Sequence, residues 1–253
     1  MSSSIKKAVI LAAGKGSRML PLTKSIPKPM LPLYNKPALS YIVDECYQSG
    51  IEEIRLVVGH CKDVITHYFS DDPRITWVEQ IELSGTANAL SCVKDWIGNE
   101  PFALLYADEV MSPYLPPLYD LINIYDHKKT CVFSLEQSNP EFLRMYNCVS
   151  VKPTDEQDVF IMTDITEKPK SDFSSLFSAI GRMVLTPDIF PFIQKIEQVR
   201  SNNNELVLTE ALALYVREHT SHAHRYAGKR YDIGYMQGWM DAHIDMYNKA
   251  KKS

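Results

Sequence analysis

The chain has few cysteines, and those it has form no pattern. Cys46, Cys61, Cys92, Cys131 and Cys148 are scattered over 253 positions with no C-x-x-C pair. An odd, dispersed set argues against a disulfide framework or a zinc ribbon, and it fits a reducing, cytoplasmic setting. No apolar run approaches the ~20 residues that a transmembrane helix needs. Residues 1–7 lack the charged-then-apolar-then-small order of a signal peptide, so no membrane is expected as a partner. Positive charge is not in excess, because 27 Lys+Arg face 31 Asp+Glu for a formal net charge of -4. A sequence-independent nucleic-acid binder needs a basic surface, so no nucleic acid is expected either. Internal repeats, low-complexity tracts and linkers are also absent.

What remains is ordinary globular composition, 45% hydrophobic and 23% charged, in a length that can bury a sizeable core. The first half alternates strand and helix. Ile5 to Ala12, Ile54 to Val58 and Phe102 to Tyr106 are continuous apolar runs, as in strands buried on both faces. Ile75 to Val78 reads as a further strand. Leu39, Ile42, Val43, Cys46 and Tyr47 share one helical face, with Pro37 at its start and Gly50 at its end. Helices are expected at Asp63 to Phe69 and, through Ala87, Leu90, Val93 and Ile97, just before the third strand. The second half is less regular. Strands are expected at Cys131 to Leu135, Cys148 to Val151, Val159 to Thr166 and Ala179 to Leu185. Helices are expected at Asp188 to Ile196, Thr209 to Glu218 and Met236 to Lys249. The Asn202-Asn203-Asn204 run reads as a turn, and the aromatic stretch Tyr114 to Tyr125 as helix packing. This rhythm predicts an α/β fold: one domain over residues 1–253, with a mixed, mostly parallel sheet, helices on both faces and a smaller lobe from the later strands.

The strongest local signal follows the first strand. Leu11-Ala12-Ala13-Gly14-Lys15-Gly16-Ser17-Arg18 turns on small residues that let a ligand approach the backbone. Arg18 suits bidentate contact with phosphate, and Lys28 adds a point charge. The loop is not a dinucleotide fingerprint, since Met19 stands where a third glycine belongs, and G-x-x-x-x-G-K-[ST] occurs nowhere. Together with Pro21, Thr23, Pro27-Lys28-Pro29 and Leu31-Pro32, the segment resembles the signature of the sugar-1-phosphate nucleotidyltransferases. The wording Thr23, Lys24, Pro27, Lys28, Met30, Leu31, Pro32 is most similar to the bacterial UTP–glucose-1-phosphate uridylyltransferases.

The resemblance implies a single Rossmann-like domain, GT-A-like, with a nucleotide-binding half at 1–110 and a sugar-binding lobe and C-terminal helix at 111–253. It implies that Leu11, Ala12, Ala13, Gly14 and Gly16 hold the nucleotide, and that Arg18 and Lys28 act on its phosphates. Gln80 and Gly85 then face the base, and Asp108 and Asp232 bind Mg²⁺. Tyr146, Asn147, Glu167, Lys168 and Gly181 face the sugar phosphate. Later stretches match as well: Gly181-Arg182, Glu205 to Ala211, and Lys229 to Gly234. The implied substrates are a nucleoside triphosphate, UTP first, and a sugar 1-phosphate, glucose 1-phosphate first, in a homo-oligomer. Thymidylyl or cytidylyl transfer is the alternative chemistry. A non-catalytic nucleotide-sugar sensor is the alternative class.

Three departures bear on that choice. Asn147 stands where the family usually has glycine, and its side chain is expected to narrow the sugar pocket. Leu176 stands near an expected Asn, and Met183 where Tyr is usual. All three favour the sensor, whereas the paired aspartates and the Arg18/Lys28 set argue for the enzyme. His222 and His224 could share a strand face as metal ligands do, but no further ligand lies nearby in sequence, so exposed histidines are expected.

Overall fold

The computed structural model describes residues 4–112, 116–199 and 205–251. Strand β1 (Lys7–Leu11) runs into the glycine loop, which continues through three single 3₁₀ turns between Ser17 and Met30. A small hairpin of β2 (Pro32–Leu33) and β3 (Lys36–Pro37) leads into α1 (Ala38–Gln48). Gly50 follows this helix with φ 84°, a left-handed turn that lacks a steric penalty only in glycine. Next come β4 (Glu53–Val58), α2 (Lys62–Tyr68) and β5 (Ile75–Glu79). The single helix expected through Ala87 and Ile97 is two, α3 (Thr86–Ser91) and α4 (Lys94–Ile97). Between them the Val93 N–H bonds the Leu90 carbonyl, an i→i−3 bond that tightens the chain and ends the first helix. Strand β6 (Phe102–Tyr106) and the short β7 (Glu109–Met111) complete this half.

The second half contains α5 (Leu118–Lys128), β8 (Val132–Gln137), α6 (Pro140–Met145), β9 (Asn147–Pro153) and β10 (Val159–Glu167). After these come β11 (Phe177–Leu185), α7 (Ile189–Val199), α8 (Leu208–Glu218), β12 (Ser221–Arg225), β13 (Arg230–Asp232) and α9 (Met236–Ala250).

Nine strands form one mixed sheet in the order β5-β4-β1-β6-β11-β8-β12-β10-β9. The run β5-β4-β1-β6 is parallel throughout. Strand β11 joins it antiparallel to β6, β8 and β12 pair in parallel, and β10 and β9 finish the edge antiparallel. Helices cover both faces. Ala8 and Ile10 of β1 pack in a core with α1, α5 and α9, while Val9 packs in a second core with α3, α7 and α8. Burial on both faces accounts for the unbroken apolar runs of the first-half strands. Strands β7 and β13 form a separate ribbon that sets Asp232 opposite Glu109.

Some expectations do not hold. His222 is buried rather than exposed: it lies in β12 between β8 and β10, with Nδ1 2.7 Å from Thr130 Oγ1. Among the described residues no group of three His, Cys, Asp or Glu side chains could hold a metal. Within the aromatic stretch, Tyr125 packs into the core as expected and Tyr119 is exposed. Tyr114 and the Asn202–Asn204 run lie outside the described residues. No described helix is long and apolar enough to cross a membrane.

Candidate active site

A cleft of about 1070 Å³ opens beyond the carboxyl ends of β1, β5 and β6, where open α/β sheets bind ligands. Its wall includes Leu11, Ala12, Ala13 and Gly14 from the glycine loop, Lys28, Gln80, Gly85 and Asp108. The loop glycines differ in purpose. Gly16 has φ 65°, and a Cβ there would sit 2.9 Å from Thr23 Cγ2, so the fold itself requires glycine. A Cβ at Gly14 would meet nothing within 4 Å, so this glycine leaves room for a ligand instead. Gly85 has φ 117°, and a Cβ there would lie 2.3 Å from the Leu206 carbonyl oxygen. That contact seats the start of α3 against the chain leading into α8, and Ala87 N donates to Leu206 O at 3.0 Å.

Arg18 and Asp232 are not part of the cleft wall, but they meet its Asp108 at one point. Asp232 Oδ1, Arg18 Nη2 and Asp108 Oδ2 lie 2.6, 2.9 and 3.4 Å from the position a Cβ would take at Gly234. The β7–β13 ribbon produces this convergence, and Ile233 N donates to Asp108 O at 2.9 Å. Lys28 Nζ is 2.6 Å from Asp108 Oδ2. Burial pushes the Asp108 carboxyl up, but Lys28, with help from Arg18, holds it below the usual carboxylate range. Asp232 is gripped at both oxygens: Gly234 N donates to Oδ1 at 2.6 Å, and the Tyr146 hydroxyl donates to Oδ2. Burial first, and then that hydrogen bond, raise the Tyr146 pKa, which keeps the phenol a donor. Gly238 backs the same segment, since a Cβ there would fall 2.0 Å from Asp232 O.

Behind the aspartates lies a buried charge cluster. Arg230 reaches Glu136 Oε2 at 2.9 Å and Glu109 Oε1 at 3.4 Å, and its guanidinium lies over the rings of Phe142 and Tyr146. Burial raises the Glu109 pKa against the opposing pull of Arg230. Glu109 Oε2 also accepts from Gly181 N at 2.8 Å. Gly181 packs tightly on Tyr106, which lines the cleft.

The remaining expected sugar residues do not line the cleft. Lys168 is largely exposed at φ 43°, with Nζ 3.9 Å from Glu167 Oε1. Burial raises the Glu167 pKa, opposed by the Thr209 hydroxyl and Lys168. The Asn147 side chain is taken up by the backbone of β11. Its Nδ2 donates to Ala179 O at 2.9 Å, and its Oδ1 accepts from Ala179 N at 2.8 Å. Ala179 sits where the β11–β8 register shifts, and a bulge leaves backbone groups without ladder partners. Met183 is buried in β11 opposite Leu104 and Phe133, so it bears on the core. Leu176 is exposed, and its carbonyl accepts from Ser138 N at 2.8 Å. None of the three departures reaches the cleft.

Sequence reading missed Lys15, Asn88 and Tyr106, all of which line the cleft. Lys15 stood inside the quoted glycine loop and could have been found. Asn88 lies in a short helix, and no spacing marks it. Also missed was helix α6, although Asn139-Pro140 carries a start signal: Asn139 Oδ1 accepts from Phe142 N at 2.9 Å.

A parallel-cored α/β sheet thus carries at its carboxyl edge a glycine loop, two cations and two converging aspartates, an arrangement suited to an enzyme that works on anionic substrates. The nucleotidyl transferase family pattern matches residues 7–249, and the chain belongs to that family. It is similar to the UTP–glucose-1-phosphate uridylyltransferase YngB of Bacillus subtilis, with 34% identity over 272 residues, covering 97% of this chain and 91% of the relative. A crystal structure of UDP-glucose pyrophosphorylase complexed with UDP-glucose superposes with a TM-score of 0.87 and 31% identity, covering 97% of this chain and 99% of that one. The UTP-bound enzyme of Acinetobacter baumannii matches with a TM-score of 0.81 and 27% identity, over 96% and 93% of the two chains.

Proposed function

We propose that the chain transfers a uridylyl group from UTP to glucose 1-phosphate, giving UDP-glucose and pyrophosphate. The observation that carries this reading is the meeting of Lys28, Arg18, Asp108 and Asp232 beside the glycine-loop cleft. The names of relatives matched over almost their whole length support the choice of UTP and glucose 1-phosphate.

A phosphate oxygen of the sugar 1-phosphate bonds to the α-phosphorus. The bond from that phosphorus to the bridging oxygen breaks, and its electron pair leaves with pyrophosphate. The nucleophile is already anionic, so no general base is needed. The difficulty is to bring two polyanions together, which calls for fixed positive charge and alignment. Gly14 and its neighbours admit the triphosphate to the loop backbone. Arg18 stabilises charge on the triphosphate and the leaving group, and Lys28 neutralises charge at the reacting centre. Gln80 and Gly85 face the uracil. Glu167 and Lys168 hold the sugar hydroxyls and phosphate, so residues 1–110 serve mainly the nucleotide and the later residues mainly the sugar.

Asp108 and Asp232 fit Mg²⁺ by their donor chemistry. Both offer hard carboxylate oxygens to one small space, and Mg²⁺ commonly takes one or two carboxylates and completes its shell with water and phosphate. Bound there, Mg²⁺ would supply charge neutralisation and a template for the α-phosphate and the incoming phosphate.

The test is pyrophosphate release with Mg²⁺ from UTP, dTTP and CTP, each against several sugar 1-phosphates. UTP with glucose 1-phosphate should be the fastest pair. Release no greater than the enzyme-free blank for every pair would overturn the proposal and leave the sensor.

A further inference from the structure

We propose that Asn88 sets the base preference of this site by locking the Gln80 amide, so that only its carbonyl oxygen remains for the base. The inference rests on the uridylyl reading and adds to it a positioning residue that no sequence motif marks.

Gln80 is buried at the end of β5, and its Nε2 lies 3.0 Å from Gly85 O and 2.8 Å from Asn88 Oδ1. A backbone carbonyl can only accept. The Gln80 atom facing Gly85 O must therefore be the amide nitrogen, which fixes the orientation of that amide without ambiguity. The second amide hydrogen then points to Asn88, whose facing atom must be its oxygen. Both donors are occupied, so Gln80 can offer a ligand only the acceptor Oε1. The partners are themselves held. Ala89 N donates to Gly85 O at 3.1 Å, and α3 is tied to Leu206 through Ala87 N. Asn88 and Gln80 line the same cleft wall.

Uracil and thymine carry an imide N–H between two carbonyls, whereas cytosine has a lone pair at that ring position. A fixed acceptor attracts the imide and opposes the cytosine lone pair. Gly85 O takes one amide hydrogen of Gln80 and Asn88 takes the other; without Asn88 that second N–H would be open to cytosine, beside the oxygen that accepts from uracil. With both hydrogens taken, the glutamine reads one edge.

The experiment measures kcat and KM for UTP and for CTP, with glucose 1-phosphate held constant, in four proteins: wild type, Asn88→Ala, Asn88→Leu and Asn88→Asp. Thermal midpoints are taken in parallel. Wild type should prefer UTP by about a hundredfold or more, the scale of a site built around hydrogen bonds. Loss of the acceptor in Asn88→Ala or Asn88→Leu should cut the UTP-to-CTP ratio about tenfold or more. Asn88→Asp keeps an acceptor and should keep the ratio, with a raised KM for both triphosphates from its added negative charge. Leu keeps the branched shape of Asn and Ala leaves room, so whichever of the two apolar variants folds is informative. An unchanged ratio in a folded apolar variant, even with both activities lowered, would mean that Asn88 is merely structural and the proposal wrong. Equal use of CTP and UTP by wild type would also overturn it. If wild type turns over no triphosphate at all, the uridylyl reading itself has failed.

Discussion

Lys28 shows how one residue can hold two roles. In the free protein its ammonium pairs with Asp108 at 2.6 Å, and this pair keeps a half-buried carboxylate ionised against the pull of burial. In the proposed reaction the same ammonium would face phosphate. Lys28→Ala should lower kcat by roughly two orders of magnitude or more, the scale of losing one preorganised electrostatic group. The side chain is part of no apolar core, so the fold should persist, with the thermal midpoint lowered only by the loss of one partly exposed ion pair. Steady-state kinetics with calorimetry on the same preparation checks both, and near-normal turnover would remove Lys28 from the mechanism. Asn147 carries the opposite lesson. As a bare departure from the family pattern it suggested an altered sugar pocket. Its hydrogen bonds add a role that the pattern did not suggest, a side chain that satisfies the backbone at a bulge.

Short elements do much of the positioning. The β7–β13 ribbon is only three residues on each side, yet it brings Asp232 beside Asp108. Helix α6 ends at Tyr146, whose hydroxyl grips Asp232. At the far edge of the sheet, α1 is tied to the approach to β5 by Tyr47, Asp72 and Arg74. The Tyr47 hydroxyl donates to Asp72 at 2.7 Å, and the Arg74 guanidinium bonds Asp72 and stacks 3.6 Å above the Tyr47 ring. The Arg74 hydrogen bond, aided by Tyr47, pulls the Asp72 pKa down to about 2. A carboxyl depressed on folding adds stability that is fully present above its unfolded value of about 3.9 and is lost as pH falls through the folded value. Asp72→Asn should therefore lower the thermal midpoint at neutral pH, and the gap from wild type should close between about pH 4 and about pH 2. Midpoints recorded across that range check this, and a gap independent of pH would contradict it.

For the whole molecule, a buried ion pair adds to the join that the β6–β11 ladder makes between first-half and second-half elements. Arg182 of β11 is fully buried, with Nε 3.0 Å and Nη2 2.9 Å from Glu45 Oε2 of α1. Its remaining N–H groups reach the carbonyls of Gly181 and Glu109 at 3.1 and 2.9 Å. Glu45→Ala would leave that cation buried without its carboxylate and should cost about 3–5 kcal/mol in urea unfolding. The double variant Glu45→Leu with Arg182→Met removes both charges and should lose much less, because neither charge is then left unpaired.

The sequence by itself determined whatever depends on neighbours along the chain. Apolar runs marked the core strands, because a strand buried on both faces must be apolar at every position. The glycine loop was legible because its chemistry is contiguous: the small residues and the cations at Arg18 and Lys28 all lie within one segment. The tertiary structure alone decided which distant groups meet. Three-residue strands such as β7 and β13 are too short to show a period, and their pairing depends on how the sheet and α9 pack around them. The partners of Gln80, Asn147 and Asp232 follow from that packing, because a side chain's hydrogen bonds are set by register across the fold and not by spacing along the sequence.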